Sequence, residues 1–67
     1  FAPKQIFIIE FKVDESAEKA LAQINEKGYA EPYRTDGRPI VKIGVNFSSE
    51  ERTIEGWKVE EELKVKN

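Results

Sequence analysis

Apolar side chains crowd the start of the chain, where Ile6, Phe7, Ile8, Ile9, Phe11 and Val13 make an almost continuous β-branched and aromatic run. Such a run predicts a strand over about 5–13, covered on both faces and therefore central in its sheet. Asp14-Glu15-Ser16 then offers capping side chains and first-turn negative charge, and Ala17, Ala20, Leu21 and Ile24 recur at helical spacing up to Gly28. These signals predict an amphipathic helix over about 16–27.

From Tyr29 to Pro39 the pattern breaks around Pro32, Asp36-Gly37 and Pro39, which reads as a connector with room for one helical turn near Ala30 to Arg34. Ile40, Val41, Ile43, Val45 and Phe47 define a second strand over about 40–47. Ser48 to Glu51 reads as a turn, and Ile54, Trp57, Val59 and Leu63 are the apolar members of a third strand over about 53–63. The last two strands predict a hairpin, with Gly56 placed for a bulge. The fold class is α/β, a strand-helix-strand crossover plus a C-terminal β-hairpin. The crossover is expected to be right-handed and to join parallel strands.

Length bounds what this pattern can build. A chain of 67 residues forms one domain, and a domain of that size buries only about 60% of the surface its unfolded chain exposes. With no cysteine and no histidine, packing alone must supply stability. Thirteen acidic and eleven basic residues leave a net charge of −2, which argues against a strongly basic nucleic-acid patch in this piece. The longest uncharged apolar run, Ile6-Phe7-Ile8-Ile9, falls far short of the roughly 20 residues that span a bilayer, and no signal sequence opens the chain. A cytoplasmic protein without membrane partners is expected. The chain begins at Phe1 and enters a strand pattern almost at once, so both ends read as boundaries cut from a longer protein.

Two ionisable residues interrupt the most apolar strand. Side chains two apart share a strand face, so Ile6, Ile8, Glu10 and Lys12 point one way while Phe7, Ile9, Phe11 and Val13 point the other. Burying an unpaired charge costs several kcal/mol, so this strand end is expected to border a cleft or to neutralise the pair internally. A carboxylate is a hard oxygen ligand suited to Mg²⁺ or Mn²⁺, and an adjacent ammonium stabilises developing negative charge or orients a water. The plainer reading, which the residue types alone favour, is a half-exposed ion pair worth about 0–1 kcal/mol.

Other side chains carry less. Tyr29, Tyr33 and Trp57 are candidate base-stacking platforms, but in so small a domain they are more economically used to cover the core. Arg34, Arg38, Lys42 and Arg52 alternate with Glu31, Asp36, Glu50 and Glu51 as on an ordinary solvated surface. Ser48 and Ser49 have no histidine to serve as base, which excludes a Ser-His hydrolase within this chain.

An ordered series of segments points further. Ile8-Ile9-Glu10-Phe11-Lys12-Val13, then Ser16-Ala17-Glu18-Lys19-Ala20-Leu21-Ala22-Gln23-Ile24, Lys27-Gly28-Tyr29-Ala30, Tyr33 and Ile43-Gly44-Val45-Asn46-Phe47-Ser48 resemble the PD-(D/E)XK nuclease-superfamily domain at the C-terminus of bacterial AAA-ATPase-like proteins. The resemblance covers residues 5 to 60 and implies a truncated restriction-endonuclease-like core. It makes Glu10 a metal-ligand carboxylate for Mg²⁺ or Mn²⁺, Lys12 the motif lysine and Gln23 an accessory catalytic-site residue. Helix spacing alone allows that role only loosely and favours a solvated glutamine on the flank of the apolar stripe.

The family pattern also calls for an aspartate on a strand before Glu10, and none of the nine preceding residues is one. The expectation is therefore a single partial domain over 1–67, inactive alone, whose longer parent acts on nucleic acid. Its sheet edge is expected to lie unprotected and to invite a homo-oligomer. The alternative is a non-catalytic protein-interaction module that keeps the nuclease-like fold.

Overall fold

The computed structural model describes residues 4–62. Strand β1, Ile6–Val13, leads into helix α1, Ala17–Lys27, and a single 3₁₀ turn, Glu31–Tyr33, before strands β2, Ile40–Ser48, and β3, Thr53–Glu62. The predicted boundaries hold to within a residue or two, and Leu63, expected in the last strand, lies outside the described residues.

Local chemistry sets the ends of the helix. Ser16, in extended conformation, accepts a hydrogen bond from the Lys19 amide at 3.1 Å and so caps the first turn. Gly28 closes the helix in the left-handed region at φ 69°, where its amide donates to the Asn25 and Ile24 carbonyls. A Cβ is disfavoured in that conformation, which is why glycine ends the apolar periodicity here.

The three strands form one mixed sheet in the order β1-β2-β3. β1 and β2 run parallel, with Glu10 beside Gly44 and Lys12 beside Asn46, and β3 returns antiparallel to β2. The register slips between Asn46 and Phe47, which face Gly56 and Ile54 and leave Glu55 as the extra residue. The bulge therefore falls next to Gly56, as its position suggested.

One expectation is corrected. β1 is not central: it lies at the edge of the described sheet, and β2 takes the middle. Its alternation is clean, with Ile6, Ile8, Glu10 and Lys12 half-buried beneath the helix and Phe7, Ile9, Phe11 and Val13 exposed on the far face. The core between α1 and the sheet holds the buried Ala17, Ala20, Ile24 and Ile40, and Ala30 is buried just past the helix; Val41 and Val45 are buried too, but on the opposite face beside Phe7 and Phe11. The far face carries Phe7, Ile9, Phe11 and Val13 together with Ile54, Trp57 and Val59, all between 49% and 66% exposed. The aromatic residues thus do not close the core as expected, since Tyr29, Tyr33 and Trp57 are all exposed.

Lys42 departs from its surface reading as well. It is 4% exposed, and its Nζ donates to Asn25 Oδ1 at 2.6 Å and pairs with Glu62 Oε1 at 3.0 Å. Arg34 grips the same carboxylate from the connector, Nε to Oε2 at 2.6 Å and Nη2 to Oε1 at 3.1 Å, and also pairs with Glu31. This network ties the C-terminal end of α1 and the connector to β3. A charge so deeply placed is tolerated because it is both paired and hydrogen-bonded.

Candidate functional site

Strand periodicity puts Glu10 and Lys12 on the helix-covered face, and Gly44 decides what can reach them. A Cβ at Gly44 would meet the Ala17 carbonyl oxygen at 2.4 Å, the Leu21 nitrogen at 2.6 Å and the Ala20 Cβ at 3.0 Å. The backbone of α1 therefore rests directly on β2 beside Glu10. Gln23 is carried to the strand by this approach, and its Nε2 donates to Glu10 Oε2 at 3.1 Å in a partly buried hydrogen bond. Of the two readings of Gln23, the structure places its amide on the acidic residue.

Glu10 and Lys12 share a face without forming an ion pair with each other, and the Lys12 ammonium makes no hydrogen bond or ion pair among the described residues. Beside Lys12 on β2, Asn46 Nδ2 donates to Glu55 Oε1 at 3.0 Å, the bulge having turned Glu55 towards it. The Asn46 Oδ1 atom is buried and accepts no hydrogen bond from the described residues. Sequence reasoning singled out neither Asn46 nor Glu55. The usable signal was the bulge glycine, because a bulge re-aims one side chain.

At the near end of β1, Asp14 adopts φ 59° and accepts from the Ser49 amide at 3.0 Å and the Ser49 hydroxyl at 2.5 Å. Those donors hold its carboxyl below the usual carboxylate range. Asp14 thus fastens the β1 end to the hairpin turn.

A carboxylate with one oxygen held by an amide and the other unclaimed fits a hard divalent cation, which takes oxygen ligands. Glu10 offers that geometry. Among the described residues, no cluster of three or more His, Cys, Asp or Glu side chains is placed to hold a metal ion. Glu10 thus belongs to no such cluster among the described residues. No helix among the described residues is long and apolar enough to cross a membrane.

Comparison with known proteins places this arrangement. The chain is 46% identical over 57 residues to the "Uncharacterized protein in vnfD 5'region" of Azotobacter chroococcum mcd 1, an alignment that takes in 82% of this chain and 11% of that protein. The chain thus spans about a tenth of the relative's length. No solved structure matches. The sequence model of the PD-(D/E)XK nuclease superfamily matches residues 2–57, and the chain, with its glutamate and lysine two apart on a strand beneath the following helix, belongs to that superfamily.

Proposed function

We propose that the chain is part of a divalent-metal-dependent nuclease domain of a longer AAA-ATPase-like protein acting on nucleic acid in the cytoplasm. Glu10 ligates Mg²⁺ or Mn²⁺, Lys12 supports the attacking water or the charge of the transition state, and Gln23 orients the Glu10 carboxylate. The observation that carries this reading is the hydrogen bond from Gln23 Nε2 to Glu10 Oε2, 3.1 Å long, which joins two residues of the family pattern across thirteen positions of sequence. A bound divalent ion polarises phosphate oxygens and lowers the pKa of its water. This chain holds one metal-ligand carboxylate in a fixed orientation and leaves a cation beside it free to meet negative charge.

In this reading the described residues are a truncated restriction-endonuclease-like core. The partial domain is inactive alone, since an upstream aspartate must complete the ligand set, and the side of β1 that has no partner strand among the described residues supports pairing with a further strand, whether of the parent or of a second copy. The testing measurement is plasmid nicking with Mg²⁺ or Mn²⁺ by the full-length protein. Loss of nicking in both Glu10→Ala and Lys12→Ala, with folding retained, supports the assignment, whereas no nicking by the folded wild type removes it.

A second reading, a non-catalytic interaction module, draws on the far face of the sheet. Seven apolar side chains about half exposed or more lie on one face, and a contiguous exposed apolar patch is the kind of surface that binds a partner. In that case Glu10→Ala and Lys12→Ala leave partner binding intact, while Trp57→Lys and Phe11→Lys abolish it.

A further inference from the structure

Asn46 stands out in this site because half of its amide is satisfied and half is not. Its Nδ2 is committed to Glu55 Oε1 at 3.0 Å, which fixes the plane and sense of the side chain. Its Oδ1 is consequently turned away from Glu55, buried, and without a donor among the described residues. A buried acceptor of this kind carries an uncompensated desolvation cost, so native structures seldom leave one unmatched.

The nearest strand neighbour of Asn46 in the parallel register is Lys12. Both side chains are half-buried on the helix-covered face, and the Lys12 ammonium makes no hydrogen bond or ion pair among the described residues. An ammonium carries three donors on a flexible stem, and adjacent strands lie only about 4.8 Å apart. A cation without an acceptor and an acceptor without a donor thus occupy neighbouring positions on the same face.

We infer that Asn46 is a positioning residue: a turn of the Lys12 side chain brings its Nζ to Asn46 Oδ1, which then accepts a hydrogen bond and holds the ammonium in place beside Glu10. Glu55 acts one step further out, by keeping the Asn46 amide the right way round. With that bond formed, the chain of contacts runs from the bulge in β3 through Asn46 to Lys12, so the irregularity in the hairpin sets the aim of the motif lysine. The part that concerns catalysis rests on the nuclease reading above, whereas the hydrogen bond itself does not.

The test follows the Lys12 ammonium by heteronuclear NMR of ¹⁵N,¹³C-lysine-labelled protein without metal or nucleic acid. An ammonium held by Asn46 exchanges slowly with water and gives an observable signal. The signal is expected in wild type and is lost in Asn46→Leu. It is retained in the double variant Asn46→Asp with Glu55→Gln, which keeps an acceptor for Lys12 and reverses the donor and acceptor across to β3. Backbone amide spectra report the sheet in each variant. A Lys12 signal unchanged in folded Asn46→Leu, or lost in a folded double variant, overturns the inference, and the double variant decides alone where Asn46→Leu does not fold. In full-length protein that nicks DNA, Asn46→Leu lowers kcat by up to about 100-fold with KM unchanged, as expected for a misplaced catalytic group. A wild type that shows the ammonium pattern but cuts nothing retains the hydrogen bond and removes the nuclease reading.

Discussion

Gly44 lies so close beneath Ala17 that a Cβ on Gly44 would stand 2.4 Å from the Ala17 carbonyl oxygen. No side chain fits that gap, and the obstructing atoms are helix backbone, which cannot rotate aside as a flexible side chain can. The contact sets the distance between α1 and the sheet and, through it, brings Gln23 to Glu10.

Gly44→Ala is therefore expected to push the helix off the strand and destabilise the domain by about 1–3 kcal/mol or more, as overpacking does. Gly56, where an added Cβ meets nothing within 4 Å, provides the control. Gly56→Ala should change stability by about 0.5 kcal/mol or less. Urea unfolding of the two variants checks the contrast, and equal effects would place the close approach elsewhere.

Gln23→Leu removes the donor to Glu10 while preserving the size of the side chain. In full-length protein that nicks DNA, the rate should fall by about 10-fold, less than the 100-fold or greater loss for Glu10→Ala, because orienting a ligand contributes less than supplying it. Titration with Mn²⁺ should show the weaker metal dependence in Gln23→Leu, and an unaltered metal dependence would return Gln23 to a passive role.

The Arg34 guanidinium, and after it the Lys42 ammonium, pull the Glu62 carboxyl down from 4.5 to about 2. A carboxyl whose folded pKa lies below its unfolded one stabilises the fold above the unfolded value and loses that contribution as pH falls towards the folded value. Stability should accordingly decline between about pH 4.5 and 2, and Glu62→Gln should flatten this part of the profile. Thermal melts across that window read the difference.

Lys42 sits in the same network and is 4% exposed. Lys42→Met keeps the apolar stem and removes the charge, leaving Glu62 to Arg34 alone. A loss of about 1–3 kcal/mol is expected, measured by chemical denaturation. An unchanged midpoint would mean that Arg34 suffices to hold β3 against the connector.

Ile24 is fully buried under the sheet, whereas Ile54 is 50% exposed on the far face. Ile24→Ala should cost about 2–5 kcal/mol and Ile54→Ala well under half of that. A large cost at Ile54 would show that the far face is covered in solution, and sedimentation over a range of concentrations would then distinguish a second copy as the cover.

The elements of this fold were legible in the order of residues because each rests on local chemistry. The capping serine and the terminal glycine set the ends of α1, and period-2 alternation put Glu10 and Lys12 on one strand face. Position within the sheet was not legible. The apolar run of β1 read as a central strand, yet β1 lies at the edge, because a strand's hydrophobicity reports what its faces require and not which neighbours the described chain supplies. The long-range pairings were equally hidden. Lys42 looked like one surface charge among many, and only the packing of α1 over β2 turned it inward to Asn25 and Glu62. Likewise, Gln23 had two open readings until the bare backbone of Gly44 let the helix descend to Glu10. Residue type and spacing decide which side chains can share a face. Which of them meet across the fold depends on the approach of elements far apart in the chain, and here that approach is governed by a missing side chain at Gly44 and an extra residue at Glu55.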